Sequence, residues 1–375
     1  MALYIGLMSG TSLDGVDAVL VDFAPHDSAA MTVVEHAHAT FDDALRAELL
    51  VLNSPGNDEL HRAALAANGV ARLYAAVVER LLLDTGVSPS QVQALGAHGQ
   101  TVRHRPGEFD GSGYTLQLLN GALLAELAEI DVVCDFRSRD LAAGGQGAPL
   151  VPAFHAACFA RAEADVAVLN LGGIANLTLL PAGGAVRGFD CGPGNALMDG
   201  WCSRHLGTAF DKGGAWASSG EVRPALLATL MSDPYFGREP PKSTGRDLFN
   251  ASWLSTRLER HPELAAVDVM ATLAEFTVRT SLDALQRHQT TTRSLLVCGG
   301  GAFNDHLMRR LNTLLPEAAV ASTASEGVPP EQVEALAFAW LAKAFNHREP
   351  GNITTVTGAA GPRLLGALYP ASSQH

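Results

Sequence analysis

Residues 5–22 have the sequence IGLMSGTSLDGVDAVLVD, in which two apolar runs flank a short turn of glycines, hydroxyl residues and carboxylates. The pattern predicts a β-hairpin whose turn binds a phosphate. Gly10 and Gly15 permit positive φ and a close backbone approach, and N–H groups exposed in such a turn form an anion-binding concavity. Asp14 and Asp17 supply hard oxygens, which suit Mg²⁺ held mainly through water beside a nucleotide phosphate. A glycine-containing turn with solvated acids is the alternative.

Composition excludes several classes of function. The chain has 375 residues, 47% of them hydrophobic, which is enough for two domains with cores. Its net charge of −13 argues against nucleic acid or an anionic membrane as a partner. The first Lys or Arg is Arg46 and no long apolar run occurs, so neither a signal peptide nor a membrane span is expected. The 5 cysteines form no CxxC pair, so no zinc site is predicted and a cytoplasmic protein fits best.

Two further glycine turns follow apolar strands. Strands at 165–171 and 177–180 flank Gly172, Gly173 and Asn176 and predict a second hairpin. Later, the strand 295–298 leads through Gly299, Gly300 and Gly301 into a helix at 306–315, where three residues without side chains leave room for a flat ring or a ribose. Packing alone is the alternative for that third turn. No lysine completes a GxxxxGK[ST] loop, so backbone amides and a metal ion are expected to hold phosphate.

Asp190 is the strongest candidate for chemistry. It follows the apolar strand 185–189 and precedes a helix at 196–205, and α/β folds place ligands where strand changes to helix. A helix N-terminus nearby also favours negative charge. An aspartate that only caps the helix or the turn is the alternative.

Two more regions present polar side chains. His98 ends the strand 92–98, and Gln100 with two basic residues crowds the same turn, which predicts a polar pocket rather than an isolated half-buried histidine. Glu334 lies on a helix, 331–345, that is apolar almost all round. An unpaired carboxylate there is costly, so Glu334 is either salt-bridged or faces a cleft, and the cleft is favoured.

The glycine-rich segment 142–149 is the best candidate for a hinge. We therefore predict an N-terminal lobe at 1–145 and a C-terminal lobe at 146–347, with residues from about 348 to 375 returning to the first lobe.

Three glycine turns in this order, without a P-loop, resemble the actin, Hsp70 and sugar-kinase ATPase superfamily. Seven ordered motifs narrow the match, and together they resemble the anhydro-N-acetylmuramic acid kinase family along essentially the whole chain. The motifs are GTSLDGVD at 10–17, AHGQTV at 97–102, GGQGAPLVPAFH at 144–155, NLGGIANLT at 170–178, FDCGPGNALMD at 189–199, KSTGRDLFN at 242–250 and VEALAFAW at 333–340.

The resemblance implies an α/β fold of two actin-like, ribonuclease H-like lobes with a nucleotide cleft between them. It implies a kinase that uses ATP and Mg²⁺ to phosphorylate 1,6-anhydro-N-acetylmuramic acid while opening its ring, in cell-wall recycling. The partner is then a small molecule, and a homodimer is left open. A nucleotide-gated binding module and a glycosidase that uses Asp190 and Glu334 without nucleotide are the rivals.

The resemblance also implies roles for individual residues. Asp190 would be the catalytic base, and Asp14 would hold the metal through water. The substrate would be bound by His98, Gln100, Arg137, Gln146, Asn195 and Glu334. ATP would be bound by Gly10, Thr11, Ser12, Leu13, Asp14, Gly15, Val16, Asp17, Gly172, Gly173, Asn176, Gly299, Gly300 and Gly301. Two positions depart from the family pattern, because Cys191 stands where a hydroxyl residue is usual and Asp247 where glutamate is usual.

Overall fold

The computed structural model describes residues 2–10, 13–24, 31–240, 242–245 and 248–371. The strands of this part of the chain are β1 Leu3–Ser9, β2 Gly15–Phe23, β3 Met31–Thr40, β4 Val92–Pro106, β5 Gly113–Leu118, β6 Val132–Cys134, β7 Val166–Leu171, β8 Ile174–Leu180, β9 Arg187–Pro193, β10 Ser294–Cys298, β11 Ala319–Ser322 and β12 Ala367–Tyr369. The α-helices are α1 Asp43–Val51, α2 Glu59–Thr85, α3 Gly121–Ala128, α4 Ser138–Ala142, α5 Val151–Phe159, α6 Ala196–Leu206, α7 Ala215–Ser219, α8 Pro224–Met231, α9 Ala251–Leu258, α10 Ala266–His288, α11 Asp305–Leu314, α12 Val333–Asn346 and α13 Thr354–Thr357.

The chain divides into two compact units, one made of Met1–Cys158 with Gln332–His375 and the other of Phe159–Glu331. Each unit has its own sheet and its own apolar core. These limits differ from the lobes expected at 1–145 and 146–347, because residues 146–158 and α12 belong to the first unit.

The sheet of the first unit has the order β3-β2-β1-β4-β6-β12, with β5 paired to β4. Strands β1, β2 and β3 form an antiparallel meander, and β1, β4 and β6 run parallel. The meander follows from two apolar runs joined by a short turn, whereas the parallel pairing needs the long crossover through α2.

The sheet of the second unit has the order β9-β8-β7-β10-β11. Strands β7, β8 and β9 again form an antiparallel meander, and β7, β10 and β11 run parallel. Three antiparallel strands followed by parallel ones thus occur in both units, with the first strand of the meander at the centre. This repeat is the ribonuclease H-like arrangement and confirms the predicted α/β fold class.

Helix α12 packs directly on the first sheet through two glycines. A Cβ at Gly6 would lie 1.8 Å from the carbonyl oxygen of Ala335, and one at Gly96 would lie 1.9 Å from that of Phe338. Strands β1 and β4 therefore accept the helix backbone only because these positions carry no side chain. The apolar pattern of α12 along nearly its whole length reflects this burial.

The glycine-rich segment expected to be a hinge lies within the first unit and is firmly held. The buried carboxylate of Asp140 accepts hydrogen bonds from the Gly147 amide (2.8 Å), Asn352 Nδ2 (2.7 Å) and Thr357 Oγ1 (2.8 Å). The Gln146 amide donates to the carbonyl oxygen of Thr357 over 2.7 Å. The segment is thus tied to the C-terminal part of the chain, and the two units separate elsewhere, at 158/159 and 331/332.

Among the helices that the structure describes, not one combines the length and the apolar character that a bilayer crossing needs.

Candidate active site

The first hairpin forms as predicted, with β1 and β2 antiparallel, although Thr11 and Ser12 in its turn lie outside the described residues. The carbonyl oxygen of Gly10 accepts hydrogen bonds from the Leu13 amide (3.2 Å) and from Gln100 Nε2 (3.1 Å). Among the described residues of the turn, Leu13 has a positive φ of 58°, and its side chain is buried in the core.

Gly15 is needed for a different reason from the one expected. Its φ is not positive, but a Cβ there would lie 2.2 Å from the carbonyl oxygen of Ala39 on β3. Val16 next to it is fully buried. The glycine therefore permits close strand packing, and the buried side chains of Leu13 and Val16 support the turn from the core.

The two hairpin carboxylates have different surroundings. Asp14 is exposed. Asp17 Oδ1 lies 3.3 Å from His36 Nε2 and 3.0 Å from His38 Nδ1. Burial acts to raise the pKa of Asp17, but the bonds to His36 and His38 outweigh it, so the pKa is lowered. Asp17 is thus already engaged, and Asp14 is the carboxylate open to a hydrated ion. The described residues contain no cluster of three His, Cys, Asp or Glu able to hold a metal, so the role of Asp14 stays a prediction.

His98, Arg137 and Glu334 come together in the first unit. Arg137 donates to His98 Nε2 and, over 2.8 Å, to the carbonyl oxygen of Gly147. Burial lowers the pKa of Arg137 to about 10, and Glu334 opposes this shift. Glu334 is exposed to solvent, yet the pKa of its carboxyl group is raised. Loss of hydration within the surrounding protein and the charge of Asp17 raise this pKa by more than the charge of Arg137 lowers it. A cation, a neutral imidazole and a carboxylate therefore face one region, as a polar ligand requires.

Gln100 and Gln146, which were also predicted to bind the sugar, do not pair with Arg137 as His98 does. Gln100 is fully buried, and its amide nitrogen donates a hydrogen bond to the carbonyl oxygen of Gly10 in the hairpin turn. Gln146 is exposed, and its backbone rather than its side chain is fixed, through Thr357.

Asp190 lies within β9 and not just after its end, since the strand continues to Pro193. It stands opposite Asn176 across the β8–β9 ladder, beside a register irregularity between Ala175 and Asn176. Its Oδ2 accepts a hydrogen bond from the Thr244 amide over 2.9 Å. Burial raises the pKa of Asp190 to about 6, while the Thr244 amide and the Lys242 charge lower it. Such a carboxyl group can accept a proton near neutral pH.

Three residues around Asp190 received no role from the sequence. Tyr235 donates its hydroxyl to the Asp190 carbonyl oxygen over 2.8 Å, and the Asp190 amide donates to the Lys242 carbonyl oxygen over 3.2 Å. Thr244 completes the set. Lys242 and Thr244 belong to the motif KSTGRDLFN, which was the available signal, but Asp247 of that motif lies outside the described residues. Cys191 is buried, and this burial raises the pKa of its thiol.

The second glycine turn, at Gly172 and Gly173, contacts the start of α6. The carbonyl oxygen of Gly172 accepts from the Asn195 amide (2.8 Å), and that of Gly173 accepts from the Gly194 amide (3.0 Å). A Cβ at Gly194 would lie 2.3 Å from the Gly172 oxygen. The predicted hairpin is present, and its turn is joined to the helix that follows Asp190.

The third glycine turn borders a cavity of about 380 Å³ in the second unit. Gly299, with φ of 77°, and Gly301 are both needed for packing. A Cβ at Gly299 would lie 2.4 Å from Asn170 Oδ1, and a Cβ at Gly301 would lie 2.4 Å from Leu171 Cβ. Gly300 instead opens toward the cavity. Phe210 and Phe303, which are 60% and 58% exposed, line it with the residues Asn195, Met198, Asp199, Asp211, Gly213, Gly300, Gly301 and Asn304. Asn195, expected at the sugar, thus lies beside the glycine turn.

Comparison with known proteins gives a consistent result. The family model for anhydro-N-acetylmuramic acid kinase matches residues 2–371. The anhydro-N-acetylmuramic acid kinase of Variovorax paradoxus is 62% identical over 374 residues, which cover 98% of this chain and 99% of that protein. The protein of the same name from Albidiferax ferrireducens is 56% identical, with 98% and 99% covered. A solved ROK family glucokinase from Streptomyces griseus, in complex with glucose and AMPPNP, aligns with 91% of this chain and 99% of its own at 12% identity and a TM-score of 0.41. The matches in sequence confirm the resemblance, and the chain belongs to the anhydro-N-acetylmuramic acid kinase family.

Proposed function

We propose that this protein transfers the γ-phosphoryl group of ATP to O6 of 1,6-anhydro-N-acetylmuramic acid while water opens the anhydro ring. The products are N-acetylmuramic acid 6-phosphate and ADP, and the reaction serves cell-wall recycling. The observation that carries the proposal beyond family membership is Asp190, a carboxyl group with a pKa of about 6 that the Thr244 amide holds in place. Because the reaction consumes ATP, we place it in the cytoplasm.

The substrate explains why a base is needed next to water. O6 of a 1,6-anhydro sugar carries no proton, since it is bonded to C1. Asp190 would therefore accept a proton from a water molecule whose oxygen bonds to C1 as the C1–O6 bond breaks. The electron pair released on O6 bonds to the γ-phosphorus, and the bond from that phosphorus to the β-phosphate oxygen breaks to give ADP. Transfer to phosphorus replaces the acid that protonates the leaving oxygen in a glycosidase.

The cavity beside the third glycine turn suits the base of ATP. Two exposed phenylalanine rings, Phe210 and Phe303, offer apolar faces to a flat heterocycle. Asn195 and Asn304 offer polar groups at the same cavity. The glycine turns at 10–15 and 172–173 would hold phosphates through backbone amides.

Asp14 fits a hydrated Mg²⁺, because it is an exposed carboxylate at a turn and Mg²⁺ usually keeps several waters. Such an ion would neutralise charge on the ATP phosphates when bound. The polar group of His98, Arg137 and Glu334 would bind the sugar, whose hydroxyl, amide and carboxylate groups need both donors and acceptors.

Measuring ADP release with and without the anhydro sugar tests the proposal. We expect ADP to form only when the sugar is present, with one N-acetylmuramic acid 6-phosphate for each ADP. Slow ADP release that ignores the sugar would instead indicate a nucleotide-gated binding module. Ring opening without nucleotide would indicate a glycosidase.

A further inference from the structure

We propose that Lys242 is a positioning residue for Asp190, whose backbone and ammonium group together keep the Asp190 carboxylate oriented and ionised for proton transfer. The inference rests on the proposed role of Asp190 as the base. It assigns a function to a lysine that lies in the motif KSTGRDLFN and that the proposed reaction leaves unused.

The backbone of the lysine segment pairs with Asp190 at two points. The Asp190 amide donates to the Lys242 carbonyl oxygen over 3.2 Å, and the Thr244 amide donates to Asp190 Oδ2 over 2.9 Å. Strand β9 is the edge strand of its sheet, so its outer edge is available for this pairing. The same short segment thus fixes both the main chain and the carboxylate of Asp190.

The side chain of Lys242 is held by aromatic rings. Its Nζ lies 5.0 Å from the ring centroid of Tyr235 and 6.0 Å from that of Phe189. Both distances suit an attraction between a cation and an aromatic face. Tyr235 also donates a hydrogen bond from its hydroxyl to the Asp190 carbonyl oxygen. Tyr235 therefore contacts both the Lys242 ammonium and the backbone of Asp190.

Tyr235 is itself firmly placed. Asp233 Oδ1 accepts from the Tyr235 amide over 3.0 Å, and its Oδ2 accepts from Trp253 Nε1 (2.9 Å) and Arg257 (2.6 Å). The Arg257 guanidinium stacks 3.7 Å from the centre of the Trp253 ring. The Tyr235 ring that contacts the Lys242 ammonium is therefore held in position by the protein itself, without bound substrate.

The positive charge of Lys242 affects the ionisation of Asp190. Among the described residues, Lys242 is a cation whose field favours the ionised form of Asp190, against the effect of burial. Among the residues that the structure describes, the charged and titratable groups around the pair are Arg187, Cys191, Tyr235, Arg238, Glu239, Arg287 and His288. Loss of the Lys242 charge should leave burial less opposed, and Asp190 should then ionise only at higher pH.

The test compares Lys242→Met with Lys242→Arg through the pH dependence of kcat/KM. In Lys242→Met we expect the midpoint of the acidic limb to move upward by about 0.5–1 pH unit, with an ATP KM close to that of the native protein. Lys242→Arg should keep the native midpoint. Lys343→Met is the matched control, since it removes an ammonium that lies 5.2 Å from the ring of Phe23 in the other unit. An unmoved midpoint in Lys242→Met, or equal shifts in the Met and Arg variants, would overturn the proposal.

A second measurement does not depend on catalysis. Unfolding free energies of the native protein, Lys242→Met, Asp190→Asn and the double variant form a thermodynamic cycle. At about pH 7.5 we expect Asp190→Asn to stabilise the Lys242→Met protein more than the native one, because an ionised Asp190 has then lost its cation. Additive effects would contradict the inference. If Asp190→Asn kept normal turnover while the cycle showed coupling, the proposed base would be wrong and the positioning contact would still hold.

Discussion

Arg137 donates two hydrogen bonds to a single atom, Nε2 of His98, over 3.2 Å from Nε and 2.9 Å from a terminal guanidinium nitrogen. A guanidinium only donates, so His98 accepts at Nε2 and carries its proton on Nδ1. Burial and the Arg137 charge hold the pKa of His98 well below its ordinary value, so the ring stays neutral near pH 7. The histidine and the Gly147 carbonyl together fix the orientation of the cation near Glu334.

Arg137→Lys should weaken sugar binding selectively. An ammonium cannot make the paired contact with His98 and also reach Gly147, so the cation loses its fixed orientation. We expect the KM for the anhydro sugar to rise roughly 10- to 100-fold, which corresponds to about 1.4–2.8 kcal/mol, while the KM for ATP stays near its native value. Initial rates at varied sugar concentration measure this. Arg139→Lys, at an exposed position two residues away, is the control, and equal sugar KM values in the two variants would refute the role of Arg137.

Asp190→Asn should remove the base and keep the shape. We expect kcat to fall by roughly 10²–10⁴ while the ATP KM stays close to native. In the native protein a pKa of about 6 means that kcat/KM declines as the pH falls through about 6, because the base must be ionised. Asp110→Asn, at an exposed turn, should leave both quantities unchanged. Near-normal turnover in Asp190→Asn would end the assignment.

The same substitution should stabilise the fold. The pKa of Asp190 is raised in the folded protein, so ionisation of this group opposes folding above its ordinary pKa of 3.8. At about pH 7.5 we expect Asp190→Asn to raise the unfolding free energy by on the order of 1–2 kcal/mol. The gain should shrink as the pH falls toward about 4, where the carboxyl group is protonated in the folded state and about half protonated in the unfolded state. Denaturant titrations at both pH values check this, and a gain that did not depend on pH would contradict the shifted pKa.

The sequence predicted local elements such as the hairpins well, but it predicted the limits of the two units less well. Alternating apolar patterns and turn residues are local properties, so the hairpins at 5–22 and 165–180 were recognisable. The placement of α12 depends on Gly6 and Gly96, which lie far from it in the chain and admit its backbone to the sheet. No pattern within residues 331–347 states which sheet the helix covers, so the limit expected at 347 differs from the observed division at 331/332.

The chemistry of the site divides in the same way. Asp190 stood out because a carboxylate follows an apolar strand. The groups that bond to it or shift its pKa, which are Lys242, Thr244 and Tyr235, lie some fifty residues later along the chain. Asp17 was expected to bind phosphate or metal, and its two histidine partners come from β3. Partners that meet only through folding cannot be inferred from spacing.

Phe303→Ala should weaken ATP binding. The ring is 58% exposed at the cavity beside Gly300 and Gly301, where a stacked base would cover it. Because stacking of a base on an aromatic ring contributes about 1–3 kcal/mol, we expect the Kd for a non-hydrolysable ATP analogue to rise roughly tenfold. Titration calorimetry measures it. Phe109→Ala, which removes a ring that is 80% exposed in the first unit, serves as the control. Unchanged affinity in Phe303→Ala would show that the base of ATP does not bind in this cavity.

Turnover in ¹⁸O-labelled water should distinguish coupled ring opening from simple phosphorylation. If Asp190 directs water to C1 while O6 bonds to phosphorus, the label enters the C1 hydroxyl of the product and the phosphate stays unlabelled. An enzyme that opened the ring first and phosphorylated later would also label C1, but it would release N-acetylmuramic acid when ATP is withheld. Mass spectrometry of the product, with and without phosphatase treatment, locates the label.

The coupled reaction requires that the ring stay closed without nucleotide. O6 is a poor leaving group unless it is protonated or transferred to phosphorus, and the proposed site assigns no group to protonate it. We therefore expect no N-acetylmuramic acid after prolonged incubation of protein and anhydro sugar without ATP, and the same result with a non-hydrolysable ATP analogue. Label in released inorganic phosphate would show that water attacks phosphorus, and ring opening without ATP would show that an acid acts on O6. Either result would refute the coupled mechanism even if the final product were the expected sugar phosphate.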